Sequence, residues 1–188
     1  EGIHEPIKAY EFMNRFYVLE GNKRVSVLKA CDAVSVPGTV TRIIPKPNDS
    51  DESRIYYEFL DFYEKTKVNY VNFSQTGAYS ELLSQIGYKD DEPFEDDIKS
   101  AFHSAFTKFT SIYLKNGGDK LSITYGDAFL TYLRMYKYEE MDQKSSDEIK
   151  DEIHRIWNDL VFYPEKAEVK LIMNAEDETK KKTLVKKQ

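Results

Sequence analysis

The chain has 188 residues, 40% hydrophobic and 32% charged, with 14 Tyr and 11 Phe to supply a core and a formal net charge of −6. No apolar run approaches the length of a membrane span, and nothing at the start resembles a secretory signal. The single cysteine, Cys31, excludes an internal disulfide.

Taken in chain order, residues 3–12 end in an alternating pattern that predicts a strand. Met13-Asn14-Arg15 predicts a short hairpin connection, with Asn14 suited to positive φ. Phe16 to Leu19 is the returning strand. Gly21 ends it, Asn22 serves as helix N-cap, and a helix runs to about Asp32 with Val25, Leu28 and Lys29 or Cys31 at helical spacing. On that helix Cys31 reads as a small buried residue rather than a reactive thiol. Residues 34–37 turn the chain, and Thr39 to Ile44 is a β-branched third strand. The polar, Pro-rich stretch Pro45 to Asp51 is taken as a domain boundary between residues 1–48 and 49–174.

Beyond it the pattern turns helical. Glu52 to about Lys65 is amphipathic, Asn69 to Phe73 is a short extended piece, and Ala78 to Ile86 is a helix stopped by Gly87. Glu95 to Lys115 is a long helix stopped by Asn116-Gly117-Gly118. Thr124-x-x-Asp127 opens a helix to about Tyr138, and Ser145-x-x-Glu148 is a capping box for a helix through Val161. Ala167 to Met173 forms one more candidate strand, and residues 175–188 read as a charged, disordered tail. The fold class is therefore α+β: a small mixed α/β unit, then a mainly α-helical one. The aromatic stripes of the helices read as core.

Charge is spread unevenly. Residues 1–48 carry seven Lys and Arg against five Asp and Glu, residues 49–178 carry fifteen against twenty-eight, and residues 179–188 carry five Lys and no acid. The acidic middle argues against wrapping nucleic acid, which demands phosphate neutralisation. An anion, if bound, is bound by the first segment. There the order strand, Gly21, Asn22, Lys23, Arg24, helix makes an anion site. Glycine lets the backbone approach a ligand, the free N–H groups of the first turn attract negative charge, and the two cations add fixed charge. Ser26, one turn past Asn22, is placed to reach a phosphate oxygen or a metal, and Arg42 on the third strand is a further cation candidate.

Glu5-Pro6-Ile7, then a hairpin, then Tyr17-Val-Leu-Glu-Gly-Asn-Lys-Arg24, then Val36-Pro37 and a β-branched strand, resembles the ParB/sulfiredoxin-like N-terminal domain over about residues 2–45. In that family a strand leads to Gly-Glu-Arg-Arg or Gly-Cys-His-Arg, and the helix start cradles nucleotide phosphates. The resemblance implies CTP or ATP, with Mg²⁺, as the ligand class. It implies that Gly21 supplies the close approach, Arg24 and Lys23 the phosphate contacts, and Glu5-Pro6-Ile7 a wall of the pocket. The sulfiredoxin cysteine position is Asn22 here, so peroxiredoxin repair is excluded, and the ParB helix-turn-helix signature is missing from the acidic helices. The whole chain also resembles the N-terminal part of clostridial-type bacterial proteins in which such a segment precedes a Bmp-family solute-binding domain. That resemblance implies a longer parent chain whose remainder is a partner.

Four functions follow from these readings. The first is a nucleotide- or phosphate-ligand-binding regulatory module in the cytoplasm, with no catalysis demonstrated by the sequence. The second is a phosphotransferase or nuclease, for which Glu20, Asp32 and His4 are candidate acids and base; His103 and His154 show no metal-ligand spacing. The third is a ParB-type DNA-binding regulator, which lacks the expected basic stripe. The fourth is an interaction module. The oligomeric state stays open.

Overall fold

The structure is a computed structural model and describes residues 5–31, 36–89 and 93–163. The fold is mixed α+β: a three-stranded sheet and seven α-helices among the described residues. β1 (Ile7–Phe12) and β2 (Arg15–Glu20) form an antiparallel hairpin, and β3 (Gly38–Ile43) returns parallel to β1 after helix α1 (Asn22–Ala30), giving the order β2-β1-β3. The hairpin turn is two residues, Met13 and Asn14, both at positive φ (51° and 60°), as a type I′ turn requires. Arg15 belongs to the strand, opposite Phe12.

β1 alternates in the expected way. Ala9 and Glu11 are buried, while Lys8, Tyr10 and Phe12 on the other face are exposed. The buried acid was not foreseen. Glu11 Oε1 accepts from the Asn14 N–H at 2.7 Å, and Oε2 accepts from Arg42 Nε and from the Tyr56 hydroxyl, the latter at 3.2 Å. The Arg42 guanidinium also lies over the Tyr63 ring, 4.3 Å from its centroid. One carboxylate thus ties the hairpin, β3 and helix α2 (Asp51–Thr66) together.

The helical body carries nearly all the core. Phe59 and Phe62 of α2, Tyr79 and Leu82 of α3 (Ala78–Gln85), Phe102 and Phe109 of α4 (Asp96–Lys115) and Phe129 and Tyr132 of α5 (Tyr125–Leu133) are buried in one cluster. α6 (Ser146–Arg155) adds Ile149 and Ile153, and α7 (Trp157–Val161) adds Leu160. Side-chain caps begin three of these helices, at α5 and α6 where the sequence placed them and at α2 on Ser50, which the sequence reading places in the linker. Ser50 accepts from Ser53 N at α2, Thr124 from Asp127 N at α5, and Ser145 and Glu148 close a reciprocal box at α6. The segment between α2 and α3 is irregular and joins no sheet, although Val68, Val71 and Phe73 are buried.

Two boundaries and one burial pattern differ from the sequence reading. α5 ends at Leu133, not near Tyr138, which instead opens a short 3₁₀ turn. No glycine or proline marks this end; tertiary contacts accompany it, with Arg134 held bidentately by Glu81 at 2.7 and 2.8 Å. The helix expected through Val161 breaks at Ile156 (φ −93°, ψ 5°), and Ile156, Leu160 and Tyr163 are all buried around the break. Finally, α1 has no buried residue, so its spacing of apolar positions makes no core face. Cys31, just past its end, is accordingly exposed rather than buried. No helix among the described residues is long and apolar enough to cross a membrane. The candidate strand 167–173 and the tail lie outside the described residues.

Candidate anion-binding site

The junction of β2 and α1 carries the residues nominated for phosphate. Gly21 sits at φ 102°, ψ 20°, and its carbonyl accepts the first helical bond from Val25 N at 3.0 Å. Gly21, not Asn22, is therefore the N-cap; Asn22 is the first helical residue and its side chain makes no capping bond. The left-handed backbone at Gly21 explains the swap, because a side chain there is strained. A Cβ on Gly21 would also stand 2.6 Å from Ile7 Cγ2. The amides of Asn22, Lys23 and Arg24 have no partner earlier in the helix, and the first turn holds no acid.

Arg24 folds back over this opening. Its Nη1 donates to the carbonyls of Glu5 at 2.7 Å and Pro6 at 3.2 Å, and lies 3.4 Å from the Glu5 carboxylate. Its Nη2 is 4.0 Å from Glu20 Oε1. The side chain is only 19% exposed. The structure thus brings Glu5, Pro6, Glu20, Gly21 and Arg24 into one place. Glu20 also pairs with Lys8 at 2.9 Å. The Lys8 hydrogen bond and charge, with a smaller part from Arg24, hold its carboxyl below the ordinary value. Lys23 and Ser26 are exposed on α1, and Lys23 makes no ion pair among the described residues.

Arg42 is not part of this cluster. The register sets Ile7 beside Gly38 and Glu11 beside Arg42, so Arg42 sits about 13 Å along β1 from the Ile7 that touches Gly21. Its charge is committed to the buried Glu11. His4 and Asp32 lie outside the described residues. His103 packs edge-on against Tyr70, 5.2 Å between ring centroids, and His154 is exposed in the last turn of α6. No group of three His, Cys, Asp or Glu is placed to hold a metal among the described residues. A cleft of about 490 Å³ opens between the hairpin turn and the helical body, and none of the nominated residues lines it.

Chemically the junction offers two cations and three free amides to an anion, opposed by two exposed carboxylates. The carbonyls of Glu5 and Pro6 fix the guanidinium in place. An incoming phosphate would take the position of the Glu5 carboxylate on Arg24. Of the residues nominated from the sequence, Glu5, Pro6, Glu20, Gly21 and Arg24 meet here, Asn22 opens α1 without capping it, Lys23 and Ser26 stand exposed on the helix, and Arg42 lies elsewhere. Sequence reasoning missed Glu11, whose only sequence signal is an acid at a core-facing position of an alternating strand. No family model, curated protein or solved structure matches the chain.

Proposed function

We propose that the chain is a nucleotide- or phosphate-ligand-binding regulatory module of ParB-like type, working in the cytoplasm. The observation that carries this reading is Arg24, held by the Glu5 and Pro6 carbonyls over the open first turn of α1. A guanidinium fixed in advance loses little freedom when it meets a phosphate, and its fork suits two phosphate oxygens. Lys23 brings a second, mobile charge. Glu5 and Glu20 offset most of the charge of Lys8, Lys23 and Arg24, which favours a ligand carrying Mg²⁺ with its phosphates, of the CTP or ATP class.

Thermal unfolding of the chain against CTP, ATP, GTP, UTP and pyrophosphate, each with and without Mg²⁺, tests the proposal. A ligand at a hundred times its dissociation constant adds about 2.7 kcal/mol. The expected result is a base-selective rise in Tm that vanishes in Arg24→Ala and shrinks in Lys23→Ala. Unchanged Tm with every ligand removes the proposal.

A further inference from the structure

β2 is an edge strand, with β1 on one side and no strand on the other among the described residues. Natural edges are blunted by short length, by proline or lysine within the strand, or by a cover. β2 is six residues long, without proline or lysine, and its charges and its one register shift lie at its ends, which leaves Phe16 to Val18 open. Phe16, Tyr17 and Leu19 are 57%, 52% and 60% exposed. Phe16 stands opposite the buried Glu11, on the inner face; on the outer face the apolar surface continues across the sheet, with Tyr10 opposite Tyr17 and Phe12 opposite Ile43, all of them exposed. A contiguous exposed patch on a sheet with a free edge is an association surface.

The strand's own charges say what covers it. Arg15-Phe-Tyr-Val-Leu-Glu20 has a cation at one end and an anion at the other. We propose that β2 pairs antiparallel with β2 of a second copy, making a six-stranded sheet across a two-fold axis. A two-fold normal to the sheet returns every residue to its own face, so the axis must pass through a residue, and Tyr17 is central. Tyr17 then meets its own copy and Phe16 meets Val18. Arg15 meets the step Leu19–Glu20. The register of β2 shifts at that step: Lys8 pairs with Glu20, and Ala9 already pairs with Val18. The extra residue puts Glu20 on the face of Tyr17 and Arg15. Each Arg15 therefore faces the Glu20 of the other copy, twice by symmetry, exchanging its long, exposed contact with Glu52 at 3.8 Å for this one, while Glu20 keeps Lys8 at 2.9 Å. Opposite charges across a strand pair fix the register, and like charges there oppose it. Edge pairing covers little area, so the dimer is reversible and weak.

This inference is independent of any ligand. Sedimentation velocity of the full chain from micromolar to millimolar concentration tests it, alongside Arg15→Glu and Glu20→Lys, each checked for native circular dichroism. The chain should pass from monomer to dimer as concentration rises. Each variant alone should associate roughly ten-fold more weakly or worse. An equimolar mixture of the two should dimerise again, because the new carboxylate at position 15 meets the new ammonium at position 20 while Arg15 and Glu20 of the other copies still meet. A measurement independent of charge uses Tyr17→Cys in a Cys31→Ser background, which should cross-link to a covalent dimer under mild oxidant. A chain that stays monomeric throughout leaves the edge to another occupant and overturns the proposal. So does a dimer that neither charge change weakens, a mixture that stays monomeric, or a cysteine that does not cross-link.

Discussion

A carboxylate taken out of water costs several kcal/mol unless its partners compensate, and Glu11 has three of them: Arg42, Tyr56 and the Asn14 amide. Removing one partner is worse than removing the whole group. Arg42→Ala should therefore destabilise by about 3–5 kcal/mol, read from the urea midpoint, because Glu11 stays buried with its charge uncompensated. Adding Glu11→Gln to Arg42→Ala should recover part of that loss, since a neutral amide is cheaper to bury than an unpaired charge. Tyr56 shares this corner. Burial, with Glu11 beside it, pushes its hydroxyl up to about 12, so it remains a donor to the carboxylate at any ordinary pH.

Among the elements, α5 and α1 are opposites. Every residue of α5 from Gly126 to Leu133 is buried, whereas α1 buries none. Gly126 makes the first possible, because a Cβ there would collide with the Asn72 carbonyl oxygen. Gly126→Ala gains up to about 1 kcal/mol of helix propensity. The clash should outweigh it and leave a net loss of about 1–2 kcal/mol in chemical denaturation. The helix starts were legible because a cap is a local event: Thr124 and Ser145 each need only a residue three places on. The ends at Leu133 and Ile156 were not, because no local residue marks them: tertiary contacts accompany them, Arg134 with Glu81 at the first and the buried Ile156, Leu160 and Tyr163 at the second. The α1 cap was misplaced by one residue, since Asn22 has the right chemistry but Gly21 has the backbone freedom. The site followed the same division. Glu5, Gly21 and Arg24 meet as the order of strand, glycine and helix implied, while Arg42 was lost to Glu11, a pairing across 31 positions.

At the scale of the molecule, stability should be bounded by pH on both sides. The Arg134 fork, opposed by partial burial, holds the Glu81 carboxyl below its ordinary 4.5. A lowered folded value means the contribution is complete above 4.5 and fades as the pH falls through the folded value. Urea midpoints should decline in that acid range, and Glu81→Gln should flatten the decline by less than about 1 kcal/mol, the pair being partly exposed. On the alkaline side Tyr56 and Tyr70 are pushed up to about 12 from 10, mainly by burial. The unfolded chain then releases protons first, so stability should fall as the pH rises from 10 toward 12. The anchor at Glu11 also bears on synthesis. Its two side-chain partners stand 31 and 45 positions downstream. A ribosome delivers β1 well before either, so its buried acid lacks both side-chain partners until α2 has followed it out of the exit tunnel.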